Sequence, residues 1–496
     1  MSKSKKNEEK NLSVSEKASE DVAKSYLQSH GRPMDRRELL ASGVIPFAAS
    51  VAMPNWLKMF ANVGVAQAED LVCTTAAGGD LPTFVQIKLN GGAAMSYNFI
   101  PTGKGGQLLS SYSRIGGGTG ANIPLLRAFS NNAMFYAQSG FYTGLSSVVL
   151  PQTMSKSAFV GLMVSSQDDS SMNAFGMTGM IQKLGAAGSI LPSLGRAETI
   201  TGIAAAPAIV APSAPLRVGR YEDVIGALGV EGALKNMTSD QKIKLFTTIQ
   251  GLTAQQVAGL SGMSGGATLS RLMQCANITN TSLIGNSGSL NISPLSNAAY
   301  ATLWGITANT ATTNQDFVFA TMVYNAINGN AGPVSFDMGG YDYHNNPRAT
   351  TDTRDIAAGV VVGKTLQSFA LMGKPGYIVV CSDGSVSSAD SDQPGAMFTS
   401  DRGLNGCMYI IAYHPTRGVT VALDQNSTNT SQQIGYLTAG QDSDTSSVPT
   451  GNNPEKAAAA AFLNYVSFAG KPVSSFETIT NRVFDSSQID LLKKIA

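Results

Sequence analysis

The sequence predicts an α/β protein with a large, mostly parallel central sheet flanked by helices, and three observations lead there. A buried-strand run, Pro333–Met338, opens into a glycine-bearing loop. A helical stretch from about Thr351 to Met372 follows, and then a second apolar run, Gly376–Cys381. That strand–loop–helix–strand order is a βαβ unit, which implies parallel strands. Composition agrees: 43% of the 496 residues are hydrophobic and 14% charged, enough apolar material for a large core. The 52 glycines, with Ser, Thr and Asn between apolar runs, fit a loop-rich α/β chain better than a helical bundle.

The elements follow in order. Residues 1–68 precede the fold: a charged, apolar-poor n-region (Lys3, Lys5, Lys6, Glu8, Glu9, Lys10), then Arg36-Arg37 followed by Leu39-Leu40. The arginine pair resembles a twin-arginine export motif, a receptor-read address whose partner is the twin-arginine translocation machinery. A weakly apolar stretch closes with Ala66-Gln67-Ala68, the small-x-small pattern of a cleavage site. Cleavage there would release a periplasmic or extracellular protein. The alternative is an uncleaved anchor over Leu39–Leu57, and only then would the membrane be a partner. A net charge of +1 gives no field that recruits nucleic acid.

Residues 69–496 form the α/β domain. Thr83–Leu89 alternates apolar and polar and reads as a strand ending at Asn90-Gly91-Gly92. The glycine-rich stretches 103–106 and 116–120 lack the Gly-Lys-Ser/Thr ending of a phosphate loop and read as turns. Strands are expected at Ala133–Gln138 and Ala158–Val164. A helical insertion covers about 218–277, where Val224, Leu228, Leu234, Ile243 and Ile249 recur at helical steps. Gln315–Ile327 carries a second apolar stripe. Cys407–Tyr413 is the last buried strand, and Asn453-Pro454 opens a final helix through Phe468 with a capping side chain and a proline at its first position. In an oxidising compartment Cys381 would pair with Cys407, each beside a strand, with buried thiols as the alternative.

Open α/β sheets bind ligands beyond the carboxyl ends of their strands. Asp342 and His344 fall at one such end and Asp383 at another, while Asp401 lies in the loop before Cys407. Three carboxylates and one imidazole could hold one divalent metal ion, which would polarise an ester or acidify a bound water. Each also has an ordinary structural reading, since Asp342 and Asn345 are common turn formers.

The arginine pair, the strand ending in Gly-Gly, the loop Gly339-Gly340-Tyr341-Asp342-Tyr343-His344, the long helix and the strand ending in Ser382-Asp383 together resemble a family. It is the exported domain of unknown function 1501 family, related to the alkaline phosphatase and sulfatase superfamily. The resemblance implies an alkaline phosphatase-like fold and metal-assisted hydrolysis of phosphate or sulfate esters. It also implies a metal role for Asp342, His344, Asp383 and Asp401.

The chain departs from the family at several of its motifs. Gly91-Gly92-Ala93-Ala94 stands where the family has an acidic residue, and Ser157-Ala158-Phe159 where it has Ser-His-Phe. Ser382-Asp383-Gly384-Ser385 and Asp401-Arg402-Gly403 replace two more motifs. Two imidazoles and one carboxylate are thereby lost, and Arg402 would oppose a cation. The sequence therefore leaves activity open. The expected role is binding or structural, on a scaffold with a degenerate metal site; the alternative is a metal-dependent hydrolase.

A competing arrangement is the Gly262-x-Ser264-x-Gly266 elbow, with Asp383 or Asp401 and then His414 in the chain order of α/β-hydrolases. It lacks the strand that should precede the serine.

Overall fold

The computed structural model describes residues 81–118, 123–165, 177–186, 188, 191, 193–195, 216–227, 241, 244, 292–388, 397–400, 403–422 and 432–496. Arg36, Arg37, Ala66, Ala68, Ser264 and Asp401 lie outside the described residues, as does most of the expected insertion at 218–277, of which Tyr221–Ala227 is helical.

The main sheet has eight strands: β1 (Thr83–Ala93), β2 (Ser157–Met163), β3 (Leu194–Gly195), β4 (Leu216–Arg217), β5 (Val334–Met338), β6 (Gly376–Ser385), β7 (Cys407–Tyr413) and β8 (Gln433–Ile434). Their order is β8-β2-β7-β6-β1-β5-β3-β4. Neighbours run parallel except at β7, which is antiparallel to both β6 and β2. The mostly parallel α/β fold is thus present. Strands β2, β5 and β7 are buried along their whole length, which is why they read as continuous apolar runs rather than alternating ones.

Helices cover both faces. Four of them carry the argument: α1 (Gly140–Ser146), α2 (Gln315–Ile327), α3 (Arg348–Leu371) and α4 (Pro454–Phe468). Helices α1, α2 and α3 share one core with Val85, Ile87, Val334, Phe336, Ile378 and Val380. Helix α4 and the short helices Met177–Lys183 and Ser486–Leu492 share the other with Phe84, Tyr377, Val379 and Ile410. Helix α4 begins as expected: the Asn453 side chain accepts the Lys456 N–H at 2.9 Å, with Pro454 at the first position. Among the described residues no helix is long and apolar enough to cross a membrane.

The strand expected over Ala133–Gln138 is present at Ala133–Tyr136 and pairs with Leu125–Ala128 in a separate hairpin. Polar Gln86 and Lys88 do not face solvent, being 3% and 7% exposed. Cys381 and Cys407 form no disulfide. They sit in neighbouring strands but on opposite faces of the sheet, Cys381 in the α4 core and Cys407 in the α1–α3 core. Side chains alternate along a strand, so two sulfurs on opposite faces cannot meet.

Helices α1 and α3 cross very closely. A Cβ on Gly144 would lie 2.1 Å from the Ile356 carbonyl oxygen, and one on Gly359 2.0 Å from that of Phe141. Glycine at these positions lets the backbones touch, which draws the start of α3 against the Ser139–Phe141 corner.

Candidate functional site at the carboxyl edge of the sheet

Strand β1 lies between β5 and β6, so the segments that leave all three converge at one edge of the sheet. The loop after β5 runs back along the end of β1: Tyr341 N–H donates to Asn90 C=O at 3.1 Å and Tyr343 N–H to Gly92 C=O at 3.4 Å. The approach requires glycine at position 91. Its φ is +111°, and a Cβ there would stand 2.4 Å from the Asp342 nitrogen.

Extended backbone alternates its side chains, and this loop does so across a boundary between core and solvent. Tyr341 and Tyr343 turn inward, 1% and 2% exposed. Asp342 and His344 turn outward, their side chains 53% and 42% exposed. The two outward groups are bonded to each other, Asp342 Oδ1 to His344 Nδ1. A carboxylate at Nδ1 holds the ring proton there and leaves Nε2 as the basic or ligating nitrogen. The turn closes behind them: Asn345 adopts φ +59°, and the Asn346 amide donates to the carbonyls of Asp342 and His344 at 3.1 and 3.2 Å.

Of the four expected metal ligands, the structure joins Asp342 and His344. Asp383 lies near the end of β6, on the same edge; its side chain and all of Asp401 fall outside what is described. Among the described residues no three His, Cys, Asp or Glu side chains gather as a metal-binding group. Ser382, beside Asp383, ties β6 to β1: its hydroxyl donates toward the carbonyls of Leu89 at 3.0 Å and Gly91 at 2.8 Å, and accepts the Ala93 N–H at 3.1 Å. These bonds hold the irregular end of β1, where the register shifts between Leu89 and Gly92.

One further expectation, the pairing of His414 with Asp383, is displaced by geometry. His414 follows β7, whose end pairs with the beginning of β6, Tyr413 opposite Gly376. Seven residues of strand, about 23 Å, separate that end from Asp383, so His414 cannot complete a triad with it. Instead the His414 ring nitrogen accepts the Thr416 and Arg417 N–H groups at 3.3 and 3.2 Å. Desolvation and the charge of Arg417 hold its pKa below the usual histidine value. Ala158, near the start of β2, is fully buried at the opposite edge of the sheet from Asp342.

Below the loop is a buried polar network. Tyr343 hydroxyl donates to Asp355 Oδ1 at 2.8 Å, and Asn98 Nδ2 donates to Asp355 Oδ2 at 2.7 Å. Asn98 Oδ1 in turn accepts the Ser139 hydroxyl at 2.6 Å and the Phe141 N–H at 3.2 Å. Tyr341 hydroxyl donates to the Arg354 carbonyl at 3.0 Å. Asp355 is 2% exposed, and burial lifts its pKa to about 7 against the lowering effect of the Asn98 and Tyr343 bonds. Arg348 does not neutralise it; its guanidinium lies 3.2 Å above the Tyr97 ring and bonds Asp352 at 3.2 Å. A signal for Asp355 existed: Asp355, Ala358, Val362, Leu366 and Phe369 share one helical stripe, and a carboxylate on that buried stripe is anomalous.

No family model matches the chain, and no curated protein is significantly similar to it. The family resemblance therefore rests on the motif residues quoted above.

Proposed function

We propose that the chain is an exported protein of the periplasm or cell surface, built on an alkaline phosphatase-like scaffold whose metal site is degenerate, and that it serves a binding or structural role. One observation carries this reading: the Asp342 carboxylate is bonded to the His344 imidazole of its own loop, in a half-exposed position. A hydrolytic metal centre needs several donors turned on one point, with a water or substrate in the open position. Here the end of the first strand and the residue after it, Gly91 to Ala94, have no carboxylate to supply. A dyad at the solvent boundary suits recognition of a polar or cationic group on a partner. The alternative is a metal-dependent hydrolase of phosphate or sulfate esters, favoured by the dyad itself, since a carboxylate at Nδ1 is the usual support of a ligating imidazole.

The test is turnover. Full-length protein collected after native export is assayed on phosphate and sulfate esters with Zn²⁺, Mg²⁺, Mn²⁺ or Ca²⁺ added, beside an Asp342→Ala/His344→Ala variant. Equal background rates are expected. Turnover present in the wild type and lost in the variant would reverse the reading in favour of the hydrolase.

A further inference from the structure

We propose that Tyr343 and Asp355 are positioning residues that couple a buried protonation site to the pose of the Asp342–His344 dyad. The inference rests on the dyad being the working face of the protein, and it goes beyond that reading by assigning how the dyad is held.

The geometry carries it. Tyr343 stands between Asp342 and His344 in the chain, so its ring and hydroxyl fix the backbone from which both outward groups depart. Its hydroxyl has two acceptors on α3, Asp355 Oδ1 at 2.8 Å and the Thr351 carbonyl at 3.3 Å. With Asp355 ionised, the hydroxyl donates to a carboxylate. With Asp355 protonated, the acid donates to the Tyr343 oxygen and the tyrosine proton turns to Thr351. One proton moves onto the carboxylate from solvent and no bond is left unsatisfied in either state. The charge-assisted form is the stronger anchor.

The charged and titratable groups around Asp355 are Arg348, Asp352 and Arg354 on its own helix, Tyr341 and Tyr343 from the loop, and Tyr409 from β7. Asp352 disfavours ionisation of Asp355, and Arg348 favours it more weakly. The tyrosines remain protonated throughout, because burial raises the pKa of each. Asp355, lifted by burial to about 7, changes charge near neutral pH.

Hydrogen–deuterium exchange of the 339–346 segment in the full chain, from pH 5.5 to 8.5 and corrected for intrinsic base catalysis, tests the coupling. Wild-type protection of the Tyr341 and Tyr343 amides against local opening that leaves Asp355 buried should rise by about tenfold through pH 7, the step from a neutral to a charge-assisted bond, even as global stability falls over the same range. Asp355→Asn mimics the protonated acid, donating to Tyr343 while accepting from Asn98, and should hold the low-pH protection at every pH. Tyr343→Phe keeps the ring in the core and should also abolish the pH step, so the test survives if the Asn variant fails to fold. A step that persists in either folded variant, or a flat wild-type profile, overturns the proposal. Neither result depends on ester turnover, so failure here and failure of the functional reading are separable.

Discussion

Residues 341 to 344 present two regions of opposite character on a single short loop. The inward pair, Tyr341 and Tyr343, is sealed against α3 and bonded to its backbone and to Asp355. The outward pair, Asp342 and His344, is half in solvent and bonded to itself. The difference teaches where stability and function divide. The inward side has its partners fixed by packing and loses stability if one is removed, whereas exposed ion pairs contribute little. The outward side adds little to stability, which suits the binding role proposed for it.

The largest blow to this arrangement falls on the contact that makes the alternation possible. Gly91→Ala places a Cβ 2.4 Å from the Asp342 nitrogen in a backbone of φ +111°. The loop must leave β1, and chemical denaturation should show a loss of about 3 kcal/mol or more. A loss below about 1 kcal/mol would mean that the loop is not seated on β1 as described.

A smaller effect, sharper because its sign changes with pH, is expected at Asp355. Its folded pKa of about 7 lies above the ordinary 3.8, so between these values the folded chain keeps a proton that the unfolded chain has released. Wild-type stability therefore falls as pH rises through that window and levels off above it. Asp355→Asn removes this dependence. The variant should be slightly less stable than wild type near pH 4 and more stable at pH 8, a swing on the order of 3 kcal/mol. Melting curves at pH 4, 6 and 8 check it, and a constant difference would show that Asp355 is ionised throughout.

Much of this was legible in the sequence because the signals are local. The runs 376–381 and 407–413 are apolar without interruption, as strands buried on both faces must be, and Asn453-Pro454 marks a helix start by capping chemistry. The direction of β7 was not legible, because a fully buried strand has the same composition parallel or antiparallel. The fates of His414 and Ala158 follow from the sheet: chain order cannot tell which edge a residue occupies. Gln86 and Lys88 look solvent-facing by alternation, yet the same alternation buries them when both sheet faces are covered. At the site, Asp342 and His344 were legible as a motif and do come together. Ser382 was not, since a serine at a strand end carries no pattern, whereas Asp355 carried a signal, a carboxylate on the buried stripe of α3, that shows only once the stripe is set against its neighbours.

The central claim, that the outward dyad belongs to a degenerate site, is tested most directly by metal content per chain. Elemental analysis should use full-length protein recovered after native export, beside the Asp342→Ala/His344→Ala variant. The variant should match wild-type stability to within about 0.5 kcal/mol, because both side chains are surface groups. The account predicts less than stoichiometric metal in both proteins, with no difference between them. One metal ion per wild-type chain, lost in an equally stable variant, would contradict it and make the dyad the core of a working metal centre.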